Sequence, residues 1–308
     1  MGVNLAPSVV AIFGPTAIGK TDAAIALADL LRAGGEAPVA VSADALQVYA
    51  GLERLTGAAD AEQRRRLEHR LLGFVPVTET FSAGAYAVRA HAEIDALLTA
   101  GRRPIVVGGT GLYLRAALAE LDLRPPPDPE ARARWQAVLE EQGAPALHAA
   151  LQARSPAVAA GIAPTDGHRA IRALELLDAG AEPPPPAGAS SQLWTQQTRH
   201  PTLLAGLVMD REALRERIEA RVLATVAAGA LEEVRAADAA GASATARKAL
   251  GYDELLRGDV EAMLARTRRY SKRQLTWMRK LGGVRLIDVT GRAPDDVAAE
   301  LHGMIRAA

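Results

Sequence analysis

The chain contains no cysteine. That excludes disulfides, thiolate–zinc centres and cysteine nucleophiles, and it fits a reduced, cytoplasmic setting. Also missing is any apolar run approaching the roughly 18 residues of a membrane span, so no membrane association is expected. The opening stretch MGVNLAPSVV lacks a basic segment leading into an apolar one with a cleavage site. Ala6 stands where a myristoylation signal requires Ser or Thr. No internal repeat is visible. Neither sign of charge is in excess: 36 Lys+Arg and 36 Asp+Glu cancel, which argues against a uniformly basic nucleic-acid binder. The distribution is less even than the sum. Eight cations and no acid fall between Arg266 and Arg285, a run that fits either a solvated helix face or a phosphate-binding stripe.

At 308 residues, 49% hydrophobic and 23% charged, the chain can bury a core in one large domain or in a main domain plus a smaller one. SVVAIF (8–13) is an apolar run entering a glycine turn, and KTDAAIALADLLRAGG has helical spacing with a Gly-Gly stop. APVAVS (37–42) and RPIVVGGTG (103–111) read as further strands. Between them, FSAGAYAVRAHAEIDALLTAG (81–101) reads as a helix with Ser82 as N-cap and Gly101 as its stop. Strands alternating with helices predict a parallel sheet covered on both faces.

Two proline-rich breaks, RPPPDP (124–129) and AEPPPPAGASS (181–191), bracket a wholly helical pattern. TLLAGLVMD (202–210) and VRLIDV (284–289) then read as returning strands. The expected class is α/β: a P-loop-containing parallel sheet flanked by helices, with a helical insertion domain. The core would occupy 1–120 and 201–308, and the insertion 121–200.

GPTAIGKT (Gly14, Pro15, Thr16, Ala17, Ile18, Gly19, Lys20 and Thr21) satisfies the full G-x-x-x-x-G-K-[ST] pattern between a strand and a helix. Glycines let backbone N–H groups converge on phosphate oxygens, and the helix N-terminus adds positive potential. Lys20 would neutralise oxygens, and the Thr21 hydroxyl would help hold Mg²⁺.

Asp44 follows the second strand, so it should face the same crevice, as an N-cap, a magnesium ligand or a general base. The strand ending at Gly108, Gly109 and Thr110 lacks the acid that many phosphate-loop NTPases place there, which weakens an ATPase reading. Arg217 and Arg221 share a helix face at i,i+4. They could grip phosphate or pair with Glu216 and Glu219.

Taken in order, these blocks resemble the tRNA dimethylallyltransferase (isopentenyltransferase) family over essentially the whole chain. The resemblance is carried by GPTAIGKT, SADALQVYAGL, FSAGAYAVRA, VVGGTGLYLRA, DPEAR, DGHRAIRALE, RIEARV, KALGYDEL and RRYSKRQLTWMR. It implies transfer of a dimethylallyl group from dimethylallyl diphosphate to N6 of adenosine 37 in a tRNA anticodon loop, with Mg²⁺ present and diphosphate released. It assigns the diphosphate to the loop at 14–21, proton acceptance to Asp44, a base contact to Thr110, and diphosphate contacts to Lys20 and to Arg221 or Arg217. It places contacts to the tRNA anticodon stem-loop at Asp44, Ala45, Leu46, Gln47, Thr110, Arg132, His168, Arg169, Ala170, Ile171, Arg172, Lys272, Arg273 and Gln274. A monomer is expected.

The chain departs from the family at Ala45, where a Ser is usual, at Ala58 in ERLTGAAD, where a Lys is usual, and at Asp253 in GYDE, where a Lys is usual. Three rival readings stand beside this one: a P-loop small-molecule kinase or ATPase, an isopentenyltransferase acting on free adenine nucleotides, and a non-catalytic RNA-binding module.

Overall fold

A computed structural model describes residues 8–124, 128–181, 183 and 192–307. Half of the first proline-rich break, at 125–127, and most of the second, at 182 and 184–191, lie outside the described residues, as do 1–7 and 308.

The strands are β1 (Val9–Phe13), β2 (Pro38–Ser42), β3 (His69–Arg70), β4 (Arg103–Gly108), β5 (Thr202–Val208) and β6 (Arg285–Asp288). They form one sheet in the order β3-β2-β4-β1-β5-β6, and every strand pairing in it is parallel. The apolar runs are explained by burial: every residue of β1 and β2 is buried, as expected for strands covered on both faces. Completely burying side chains such as Ile12 and Phe13 stabilises the fold by about 1.5–3 kcal/mol each.

β3 has only two residues and no apolar alternation, so periodicity could not find it. Three short helices, Glu53–Thr56, Ala61–Arg66 and Tyr252–Leu256, were likewise too brief to show a period.

The helices begin and end where local chemistry requires. The Ser82 hydroxyl accepts the Ala85 N–H and starts Ala83–Thr99, while Gly101, at φ +68°, lets the chain leave it. The helix Lys20–Ala33 packs against Pro294–Arg306, and Ala83–Thr99 against Gly111–Leu118. Among the described residues no helix is long and apolar enough to cross a membrane.

The chain divides into two compact units. One is formed by residues within 1–121 and 193–308, the other by residues within 122–192. The second unit has helices Pro129–Gln142, Ala144–Arg154, Pro156–Ala159 and Gly167–Asp178. Asp128 and Asp166 cap two of them through the N–H groups of Glu130 and Arg169. Its core gathers Leu147, Leu151, Ile171 and Leu174.

Strand register positions the site. Phe13 stands level with Gly108, and Ser42 with Val107. The chain leaving β1 at Gly14, β2 at Ala43–Asp44 and β4 at Gly109–Thr110 therefore emerges side by side at the carboxyl edge of the sheet. The approach is so close that a Cβ on Gly108 would lie 2.1 Å from the Ala43 carbonyl oxygen. Gly108→Ala should lower the free energy of unfolding by about 1–3 kcal/mol in urea denaturation, because the obstacle is backbone and cannot rotate aside. Gly303→Ala has open space around it and should be neutral or stabilising by up to about 1 kcal/mol. Equal midpoints for the two variants would contradict the packing account.

Candidate functional site

A cleft opens at this edge, lined by Thr16, Ala17, Lys20, Thr21, Asp44, Leu46, Gln47, Val107, Gly108, Arg221, Tyr270 and Gln274, among others. Its floor is the phosphate loop. Gly19 ends the loop at φ +96°, and as N-cap it provides no side-chain hydrogen bond to the helix behind it. The first helical N–H groups are thus left to a ligand, with the positive end of the helix behind them. Ala17 also sits in the left-handed region, at φ +66°, a conformation costing about 1–2 kcal/mol for a residue with a Cβ.

Lys20 Nζ donates to the carbonyls of Gly14 at 3.0 Å and Pro15 at 2.8 Å, folding over the loop. Burial, and then the charge of Arg221, push its pKa down to about 8, with Asp44 opposing the fall. Arg221 donates to the Thr56 carbonyl at 3.0 Å and lies so close over Gly57 that a Cβ there would be 2.0 Å from its Nη2. Desolvation lowers the pKa of Arg221, and Asp44 opposes that fall too. Arg217 is exposed and stands outside the cleft lining, its Nη2 3.4 Å from where a Cβ on Gly19 would lie. Neither arginine pairs with Glu216 or Glu219 among the described residues; Glu219 instead accepts from Arg268.

Asp44 does not cap a helix. Its Oδ1 accepts the N–H of Leu46 at 3.0 Å in a local turn, and its Oδ2 has no hydrogen bond among the described residues. Ala45 N–H donates to Thr110 Oγ1 at 3.2 Å. Thr110 is itself an N-cap, but its hydroxyl makes no cap bond and lies 3.3 Å from the Tyr270 hydroxyl. The two loops are therefore joined beside the carboxylate. Gln47 lines the cleft, yet its amide is used internally, donating to the Gly57 carbonyl and accepting from Ser42 Oγ.

Several expected RNA contacts are placed otherwise. Gln274 is 4% exposed, with both ends of its amide bonded to backbone. Ala170 and Ile171 point into the core of the second unit, because i and i+1 on that helix follow its apolar face. Arg132 and Arg172 both pair with Glu175, which is buried. His168, Arg169, Lys272 and Arg273 are exposed.

Periodicity read across the C-terminal helix would have found more of the cleft. Met263, Thr267, Tyr270 and Gln274 line it at i, i+4, i+7 and i+11, a single helix face. Ile218, Arg221, Val222 and Thr225 do the same at i, i+3, i+4 and i+7.

The glycines after β4 also acquire a cause. A Cβ at Gly109 would strike Gln274 at 2.3 Å, and one at Gly111 would strike Trp277 at 2.3 Å. The close approach there is made by the protein's own helix.

The donor set suits magnesium. Among the described residues no three His, Asp or Glu side chains cluster as a metal cage, but Thr21 and Asp44 present hard oxygens to the same cleft. Mg²⁺ keeps waters and binds through one or two protein oxygens together with substrate phosphates, which this pair can provide.

The IPP transferase family profile matches residues 47–281. A tRNA dimethylallyltransferase of Thermobifida fusca is 41% identical over 284 residues, covering 89% of this chain and 87% of that protein. One of Anaeromyxobacter dehalogenans is 43% identical over 289 residues, covering 89% and 93%. A crystal structure of the tRNA isopentenylpyrophosphate transferase of Bacillus halodurans superposes with a TM-score of 0.69 at 31% identity, over 97% of this chain and 95% of that one.

The Lys20 charge is present below its pKa of about 8 and lost above it. Affinity of the free protein for a diphosphate monoester should therefore fall as pH rises through about 8, measured by calorimetry. Lys20→Arg, which stays charged, should bind more weakly but without that fall. An affinity unchanged through this pH in the native protein would contradict the assignment.

Proposed function

This chain belongs to the IPP transferase family, and from that premise we propose that it transfers a dimethylallyl group from dimethylallyl diphosphate to N6 of adenosine 37 in tRNA. The observation that carries the reading is the two-sided character of the cleft. The phosphate loop, Lys20 and Arg221 form a cationic floor, while Leu46, Leu55, Ile218, Val222, Leu250 and Met263 supply apolar wall, with one carboxylate, Asp44, between. A short allylic chain on a diphosphate matches both halves.

Position 108 counts against a kinase or ATPase. The Ala43 carbonyl leaves no room for any side chain there, so β4 cannot supply the strand-end acid that orients metal or water in many NTPases.

In the reaction the lone pair on N6 forms a bond to C1 of the donor, and the C1–O bond breaks with its electrons remaining on the diphosphate. Loop N–H groups, Lys20 and Arg221 stabilise the charge that gathers on those oxygens. Asp44 takes the N6 proton through Oδ2, the oxygen its turn leaves open. The Thr110 hydroxyl, which accepts the Ala45 N–H and faces Tyr270, bonds the adenine in this reading. Mg²⁺ entering with the donor would be held by the Thr21 hydroxyl and would add positive charge beside the diphosphate.

An adenine in a stacked loop must be extruded to reach a buried donor. The Val260–Lys280 helix favours an RNA acceptor over a free nucleotide. Its inner face lines the cleft, while Arg269, Lys272, Arg273, Arg279 and Lys280 are exposed and pair with no carboxylate among the described residues. His168 in the second unit is also exposed, and so is Arg169, which pairs with Asp166.

Asp44→Ala should reduce transfer by about 10²–10⁴-fold. Its tRNA affinity should stay near that of the native protein, because one carboxylate contributes little to a salt-dependent phosphate interface. Steady-state kinetics and filter binding measure the two. Near-native turnover would remove Asp44 as the base.

A further inference from the structure

Gln274 is a polar side chain buried on the inner face of the Val260–Lys280 helix. Its Oε1 accepts the N–H of Thr16 at 2.9 Å, and its Nε2 donates to the Gly109 carbonyl at 2.8 Å. Thr16 belongs to the phosphate loop; Gly109 immediately precedes Thr110. One planar amide therefore spans the floor of the cleft and its acceptor-base side.

The chemistry of this position is restrictive. A backbone N–H needs an acceptor and a backbone carbonyl needs a donor. Among side chains of this length a carboxamide supplies both without having to bind a proton. Ionised glutamate would set its oxygen against the Gly109 carbonyl, and an apolar chain would leave two buried backbone groups without partners, each at a cost.

The surroundings are built around the amide. A Cβ on Gly109 would lie 2.3 Å from Gln274 Nε2 and 3.2 Å from the Gly14 carbonyl. The helix can press its side chain between the loops only because residue 109 has none. One turn earlier Tyr270 meets the Thr110 hydroxyl, which in turn holds Ala45 beside Asp44. A continuous chain of bonds and backbone thus runs from Thr16 through Gln274, Gly109, Thr110 and Ala45 to Asp44.

We infer that Gln274 is a positioning residue that fixes the spacing between the diphosphate cradle and the Asp44–Thr110 pair, acting through the Thr16 N–H and the Gly109 carbonyl without touching RNA. The inference rests on the prenyl-transfer reading and adds to it what sets the distance from donor C1 to acceptor N6. Group transfer is steeply sensitive to that distance, since a misplacement of about 1 Å can cost on the order of 10²-fold in rate.

The test uses the full chain carrying Gln274→Met, which keeps length and loses both bonds, and Gln274→Glu, which keeps the bond to Thr16 and loses that to Gly109. Thermal melts, kcat, donor KM and tRNA Kd are measured for each. The expected result is a fall in kcat of about 10–100-fold in both variants. Donor KM and tRNA Kd should stay within about threefold at a temperature where the melts show folded protein.

If Gln274→Met fails to fold, Gln274→Glu decides alone. Native kcat in the folded variants would overturn the inference, and so would a loss residing wholly in tRNA Kd, which would mean direct RNA contact. Absence of prenyl transfer by the native protein would instead overturn the underlying reading, so the two failures are distinguishable.

Discussion

The carbonyl oxygen of Ala43 stands 2.1 Å from where any Cβ on residue 108 would lie, and much of the cleft follows from that approach. It holds the chain leaving β2 against the end of β4, so that Asp44 and Thr110 emerge as neighbours joined through the Ala45 N–H. It also denies the strand end a carboxylate, and thereby the usual device for directing water or metal at a γ-phosphate. A phosphate loop without that acid can still stabilise a leaving diphosphate, because this requires convergent donors and cations and no activated water.

The Val260–Lys280 helix divides its surface between two tasks. One face closes the cleft with Met263, Thr267, Tyr270 and Gln274. Away from that face Arg269, Lys272, Arg273, Arg279 and Lys280 are exposed to solvent. Two cations of the run are spent on the fold: Arg266 pairs with Glu254 and Arg268 with Glu219. The same economy operates in the second unit, where Glu175 holds Arg132 and Arg172. A balanced net charge is therefore compatible with a local anion-binding stripe, since the acids are placed elsewhere.

The long elements were legible because their causes are local. Continuous apolar runs mark β1, β2, β4 and β5, and Ser82 and the Gly34–Gly35 pair mark helix ends. The phosphate-loop motif was legible because its whole pattern lies in eight consecutive residues between a strand and a helix. What escaped was settled at a distance in sequence. β3 exists only through pairing with Ala40 and Val41. Gln274 carries no local sign that Thr16 and Gly109 will lie on either side of it. The family resemblance places Ala170 and Ile171 with the RNA contacts, although helical period turns them inward into the core of the second unit. The glycines at 108, 109 and 111 likewise carry no local sign of what they face. Their neighbours in space are Ala43, Gln274 and Trp277.

The central claim is that this cleft joins a prenyl group to an adenine and uses its phosphate loop to hold the leaving diphosphate. The most direct measurement combines purified protein, an anticodon stem-loop RNA, dimethylallyl diphosphate and Mg²⁺, then identifies the digested nucleosides by mass spectrometry while counting released diphosphate. The account predicts one dimethylallyl group on N6 of a single adenosine, with one diphosphate released for each group transferred. Absence of any prenylated nucleoside, or diphosphate released without a prenyl group transferred, would contradict it.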